Sequence, residues 1–333
     1  MEIIINILRG IAIGLANIIP GVSGGTMALI LGIYGRLLNA LSALGPQTLK
    51  ALGGGRQSIK NELQRLDFTF LASLGAGAAL AIIASARIMT NLLEQHHDPT
   101  FGFFFGLVLA SVVVPYQLIK RFSFSSIVSA ALAIAMVIGL TLAMSGEDRL
   151  EAARKKAALK SATTTASSAA TEGQSGGRVP EDARTMAFFV AAGAIAISAM
   201  ILPGISGSFM LLLMGVYFDI LVCINERQIV LLACFGLGCL AGLAVFTRFL
   251  NYLLKNFHDT TMAFLMGLVI GSLYAIWPFK SFVFADGRRI DIANIMPQAL
   301  GSNEQLTIFT VIAGCLLVAL FIFIEKRQKK DSA

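Results

Sequence analysis

Long apolar stretches separated by short polar turns dominate the chain. A helix needs about 20 apolar residues to cross a bilayer. Six stretches meet that length: 68–93, 101–119, 126–144, 229–254, 262–279 and 306–324. Two further regions break the pattern. Apolar arms over 3–19 and 27–44 are separated by Pro20-Gly21-Val22-Ser23-Gly24-Gly25-Thr26, and arms over 186–202 and 209–224 by Pro203-Gly204-Ile205-Ser206-Gly207-Ser208. A Pro-Gly-x-Ser-Gly break cannot continue a helix. Short apolar arms on either side of it predict a re-entrant hairpin with its tip inside the membrane. Non-helical backbone is tolerated there only when protein or a watery cavity surrounds it.

The chain also resembles itself. Residues 20–38 align with 203–221 without gaps, and 9 of 19 positions are identical. Residues 87–111 align with 248–272, with 11 of 25 identical, matching Arg87 to Arg248, His97-Asp98 to His258-Asp259 and Gly106 to Gly267. Two ordered blocks predict an internal repeat. The first repeat covers 1–145 and the second 185–333, each with one hairpin and three spanning helices. A polar, low-complexity linker over 146–184 joins them. An odd number of crossings per half turns the second half over. The expected fold is therefore an all-α polytopic membrane protein with two inverted-topology repeats, an architecture of secondary transporters with the site at the repeat interface. The polar loop 45–66 carries a further amphipathic helix over 56–66.

Composition agrees. Of 333 residues, 56% are hydrophobic and only 14% charged, against roughly 25% charged in soluble domains. Mean hydropathy is +0.78. These values exclude an ordinary soluble enzyme, a disordered chain and a nucleic-acid binder, although the net charge is +7. With the N-terminus inside, the inner loops and tail hold 13 basic residues and the short outer loops four; the linker, outside, holds seven basic and six acidic residues. That asymmetry predicts both termini on the cytoplasmic side. The start Met1-Glu2-Ile3 has no basic n-region, so no cleavable signal peptide is expected. The four cysteines lie in apolar stretches without a CxxC or Cys/His cluster, so free thiols and no metal site are expected.

Three groups of residues carry candidate chemistry. At each break, a small-residue turn leading into a helix offers backbone N–H groups and the positive end of a dipole, a setting for an anion and above all for phosphate. Ser23, Gly24, Gly25 and Thr26, and Ser206, Gly207 and Ser208, form these tips; close helix packing is the alternative use of such small residues. Arg87 and Arg248 are the strongly charged residues within the six long apolar segments. An intramembrane arginine is costly and marks function unless it snorkels to the interface. The pairs His97-Asp98 and His258-Asp259 sit at turns between helices, where proton coupling and helix capping are both open roles. Asn17, in the first apolar arm, has Met200 as its repeat counterpart. No metalloprotease motif, nucleophile elbow or intramembrane acidic pair appears, so neither catalysis nor a cofactor is expected. A membrane enzyme acting on a lipid phosphate and a transporter of a small anion remain the alternatives.

The motif RGIAIGLANIIPGVSGGTMALILGIYGRLL, its partner ILPGISGSFMLLLMGVYFDIL, and the His-Asp pairs followed by FGLV and MGLV closely resemble the bacterial polyprenyl-phosphate transporter family, the PopT group. The resemblance covers nearly the whole chain apart from the linker and the tail. It implies a flippase of the cytoplasmic membrane that returns undecaprenyl phosphate from the outer to the inner leaflet for cell-wall and other glycan synthesis. Its partners would be the polyprenyl-phosphate lipid and the bilayer. The second tip has Ser208-Phe209 where the first has Gly25-Thr26, a bulkier and less polar arrangement.

Overall fold

The computed structural model describes residues 2–18, 23–143, 178–285, 288–297, 299 and 301–331. Pro20–Val22 and most of the expected linker lie outside the described residues. In chain order the elements are α1 (Glu2–Ile18), α2 (Gly24–Ile30), α3 (Tyr34–Ser42), α4 (Pro46–Leu52), α5 (Arg56–Arg65), α6 (Phe68–Gln95), α7 (His97–Ser111), α8 (Val113–Leu118) and α9 (Phe124–Ala143). Then follow α10 (Ala183–Ile201), α11 (Gly207–Leu213), α12 (Tyr217–Asn225), α13 (Ile229–Asn256), α14 (His258–Ala275), β1 (Lys280–Ala285), β2 (Arg288–Asn294) and α15 (Ser302–Asp331). The protein is a polytopic helical membrane protein. Six helical segments among the described residues are long and apolar enough to cross a membrane: 68–85, 97–118, 124–143, 183–201, 229–256 and 302–323.

Three expectations need correction. The stretch 262–279 is not one of the six; its helix starts earlier, at His258, and stops at Ala275. The His258-Asp259-Thr260-Thr261 turn lowers its hydropathy, and Pro278 disfavours helix at the residue before it. This helix can be less apolar because it lies at the centre of the protein, with Met262, Leu265, Leu268 and Val269 buried. Its place among the six is taken by α10. Second, the stretch 101–119 is interrupted at Val112, because Pro115 has no N–H to return to the Ser111 carbonyl. Third, the second arm of each break is two short helices rather than one. Gly32 (φ +66°) and Gly215 (φ +73°), at matching repeat positions, take the left-handed conformation that ends a helix. In the second half the two pieces, α11 and α12, bend by 103°.

Among the described residues two elements are not helical. Lys280–Ala285 and Arg288–Asn294 pair as an antiparallel β-hairpin with a bulge at Ser281/Phe282. Period-two alternation puts Arg289 and Asp291 on one face of β2.

Four helix pairs carry the packing: α1 with α6, α10 with α13, α7 with α15, and α9 with α14. The first two pairs correspond across the repeat. The other two are exchanged, so that the last helix of each half lies on the other half. Close approach rests on glycine. A Cβ at Gly10 would overlap the Leu74 carbonyl, and one at Gly77 the Ile7 carbonyl, so each helix of the α1/α6 pair lets the other's backbone in. Gly193 and Gly238 do the same between α10 and α13, against the Phe235 and Val190 carbonyls. Such small-residue seams replace the hydrophobic drive that is missing between helices in lipid.

The main core draws on both halves, including Tyr34, Leu38 and Phe70 from the first and Leu265, Leu268 and Ile276 from the second. All four cysteines are free thiols. Gly77→Val is expected to force α1 off α6 and to lower stability by about 1–3 kcal/mol. The readout is a lower thermal midpoint in detergent. Gly139→Ala, at a position open on all sides, is expected to leave the midpoint unchanged.

Candidate functional site

The two broken segments meet each other. Ser23 precedes α2 in an extended conformation, and its hydroxyl accepts the Gly25 N–H at 3.1 Å, an N-cap. The same hydroxyl donates to the Leu202 carbonyl, 3.2 Å away in the other half. Thr26 Oγ1 accepts the Gly204 N–H at 3.1 Å, and the Tyr34 hydroxyl donates to the Ile201 carbonyl at 3.2 Å. Asn17 accepts the Gly24 N–H at 2.9 Å, so this polar residue near the end of the first arm is a cap for the turn that follows it. Gly25 has no room for a side chain: its Cβ would lie 2.6 Å from the Ile201 carbonyl oxygen. Gly204 (φ +81°) is left-handed and equally confined, with the Leu268 carbonyl oxygen 2.6 Å from a Cβ.

The tips differ in a way that their sequences do not show. Ser23, Gly24, Gly25 and Thr26 are all buried, and the N–H groups of Gly24 and Gly25 are committed to protein acceptors. In the second tip Ser206 is the N-cap of α11 by backbone conformation, but its side chain makes no cap bond. Its hydroxyl lies 2.9 Å from that of Ser208 instead, and Ser208 is exposed. Gly207 sits against the Ala196 carbonyl. The tip that is bulkier in sequence is thus the accessible one.

Arg248 is directed at the end of α3. Its Nε donates to the Ser42 carbonyl at 3.1 Å and its Nη2 to the Leu44 carbonyl at 2.5 Å, while Asn251 donates to the Ser42 hydroxyl at 3.1 Å. A cation at a helix C-terminus satisfies orphan carbonyls and the dipole together. Two of the five guanidinium N–H donors are used in this way. Arg87 lies on α6, and its side chain is outside the described residues.

The two His-Asp pairs mark the crossing points of the halves. Asp259 accepts the N–H groups of Lys120 and Arg121, each at 3.0 Å, just before α9 enters. The Lys120 N–H, His258 and the Arg121 N–H together hold the Asp259 carboxyl below its ordinary range. Asp98 accepts from Asn303 at 3.1 Å, where α15 enters. There the β-hairpin adds what the other pair lacks. Arg289 Nε donates to Asp291 at 3.0 Å, and its Nη2 lies 2.7 Å from Asp98 Oδ1. That Nη2 is buried and its N–H directions miss the carboxylate, so this second contact is Coulombic. Burial raises the Asp291 carboxyl, but His97, Lys280 and Arg289 outweigh it and hold the group below its ordinary range. Among the described residues, no group of His, Cys, Asp and Glu is placed to hold a metal.

A polytopic membrane protein with two polar backbone breaks meeting in an apolar core defines the class. The chain belongs to the family described as VCA0040-like, undecaprenyl phosphate translocase-like, which it matches over residues 13–289. It is 31% identical to a polyprenyl-phosphate transporter of Vibrio cholerae serotype O1 over 97% of this chain and 96% of that one. It is 33% identical to a polyprenyl-phosphate transporter of Staphylococcus aureus over 82% of this chain and 86% of that one. No solved structure matches it.

Replacing Asn17 with Ala leaves the Gly24 N–H buried without its acceptor, at a cost of about 1–3 kcal/mol. Gly25→Val is expected to wedge the two tips apart and to cost at least as much. Both effects would appear as lower thermal midpoints in detergent, whereas Ser208→Ala, at an exposed hydroxyl, would leave the midpoint within a degree or two.

Proposed function

We propose that this protein moves a polyprenyl phosphate such as undecaprenyl phosphate between the leaflets of a bacterial cytoplasmic membrane, without chemical change to the lipid. The observation that carries the reading is the contact between the two breaks: polar backbone sits in the centre of an apolar protein, in a family named for this cargo. The cargo has one phosphate and a long apolar tail. Only the phosphate needs shelter, and the tail stays in lipid.

Within that reading the tips divide the work. The buried Ser23–Thr26 turn is a wall that positions the second tip. Ser206 and Ser208, with the Gly207 backbone between them, receive the phosphate through hydroxyl and N–H donors. Arg248 and Arg87 occupy matching repeat positions. In an inverted arrangement they face opposite leaflets, where a planar, permanently charged fork meets the phosphate as it enters or leaves. Both termini are cytoplasmic in this arrangement, and the β-hairpin is outside.

The deciding experiment uses purified protein in liposomes carrying a polyprenyl phosphate, with the leaflet position of the lipid read by accessibility to an added phosphatase. Wild type is expected to move the lipid with its mass unchanged. Release of phosphate or polyprenol by the protein alone would favour the enzyme reading. A Ser206→Ala, Ser208→Ala double variant is expected to slow transport about tenfold, the loss of one charge-assisted hydrogen bond. Arg248→Gln is expected to slow it by a similar factor and Arg248→Lys by less. A thermal midpoint for each variant separates loss of the phosphate contact from loss of the α3 cap. With the native cysteines replaced, cysteines introduced at Gln57 and Phe284 are expected to react with an impermeant thiol reagent from opposite sides of the membrane. Labelling from one side would overturn the topology.

A further inference from the structure

The β-hairpin closes on the start of α7 through a histidine that faces a carboxylate at each nitrogen. His97 Nδ1 lies 3.0 Å from Asp98 Oδ1, and Nε2 lies 3.3 Å from Asp291 Oδ2 on β2. A neutral imidazole has one N–H. In that state one of the two contacts would set a nitrogen lone pair against a carboxylate oxygen. Imidazolium alone presents an N–H at both nitrogens, in a hydrogen bond with Asp98 and an ion pair with Asp291. The ring is also fixed in place, stacked on Phe101 at 4.5 Å and 21°.

The surrounding charges come from every element packed here. Asp98 shares α7 with His97. Arg289 and Asp291 come from β2, and Arg289 stacks on Phe282 of β1 at 4.0 Å. Lys280, at the start of β1, lies 5.5 Å from the centre of the Phe101 ring and donates to the Ala275 carbonyl. Asn303 of α15 bonds to Asp98. Arg289 and Lys280 oppose a proton on His97, while the two direct carboxylate contacts favour one. One of those two carboxylates, Asp291, arrives only with the hairpin. Burial, Arg289 and Lys280 arrive with it too, but the two carboxylate contacts outweigh them, so the docked hairpin holds the proton more tightly than the undocked one.

We propose that His97 is a proton-operated latch. One proton on its imidazole fastens the β-hairpin of the second half onto α7 of the first, and loss of that proton releases it. Linkage gives the direction: docking is strongest in acid and weakens as pH rises past the point where the docked site gives up its proton. The matching pair in the other half has no such latch. Among the described residues His258 faces the Asp259 carboxylate alone, that carboxylate is engaged by the backbone after α8, and no strand covers it. The latch stands on this geometry by itself; its coupling to lipid movement rests on the transport reading above.

The protein carries its own reporter. Trp277 is the sole tryptophan. Its Nε1 donates to the Ile295 carbonyl, just past β2, at 3.0 Å, and its ring meets Phe105 of α7 edge-on at 5.4 Å. Its emission in the purified full-length protein, in detergent without polyprenyl lipid, is to be followed from pH 5 to pH 9. Wild type is expected to show one transition. His97→Gln is expected to remove it and His258→Gln to keep it. Asp291→Asn is expected to move the midpoint toward acid by about one pH unit, a tenfold loss of proton affinity. Circular dichroism establishes that each variant is folded, and the near-isosteric Asp291→Asn decides the matter should His97→Gln fail to fold. A flat wild-type profile, a transition that survives His97→Gln, or an unmoved midpoint in Asp291→Asn overturns the latch. A lipid-free switch lost with His97 upholds it even if liposome transport proves absent, a result that would count against the transport reading alone.

Discussion

Backbone that leaves the helix inside an apolar layer must find partners within the protein, because lipid offers none. This chain breaks its helices twice in that setting, and side chains of the first half satisfy backbone groups at the second break. Ser23 and Tyr34 donate to the Leu202 and Ile201 carbonyls, and Thr26 accepts from Gly204. Asn17 closes the remaining turn from inside the first half. The central helix α14 and the glycine seams can then be viewed as the frame that holds the two breaks in contact. Without that contact, several buried donors and acceptors would lose their partners together.

The frame is nearly symmetric, while the chemistry placed on it is not. One tip is buried, with its Gly24 and Gly25 N–H groups bonded within the protein, and the other presents a pair of hydroxyls. Among the described residues one His-Asp pair is capped by a strand, and the other is bound to a turn. A repeat of equal halves would stabilise its two end states equally. Differences of this kind let one side respond to conditions that the other ignores.

Much of the architecture could be read from the sequence because its causes are local or periodic. Apolar length places the spanning helices, Pro-Gly-x-Ser-Gly marks the breaks, and the offset between the two aligned blocks reveals the repeated order of elements. The left-handed Gly32 and Gly215 were visible as matched glycines, although their effect, splitting each second arm, was not. The β-hairpin had a signal of its own. An aromatic and β-branched run over 282–285 and alternation over 289–292 flank an Asp286-Gly287 pair, a hairpin signature that is hidden among the charges of a polar loop. The partners of Thr26, of Arg248 and of the Nε2 side of His97 were illegible. Each lies far along the chain or in the other half, and spacing carries no record of such contacts. The relative openness of the two tips was also hidden, because it depends on what packs over them rather than on their own side chains.

The exchange of final helices has a consequence for how the protein is made. α9 leaves the ribosome long before its partner α14, with the linker and most of the second half still to come. At 5–20 residues per second that wait is on the order of ten seconds. Throughout it, α9 and α7 are in the membrane without the helices that complete them, and the first half is an unfinished surface rather than a folded module. Two nascent chains side by side would satisfy the same seams by trading α9 and α15. A domain-swapped dimer is therefore the misassembly that this topology invites.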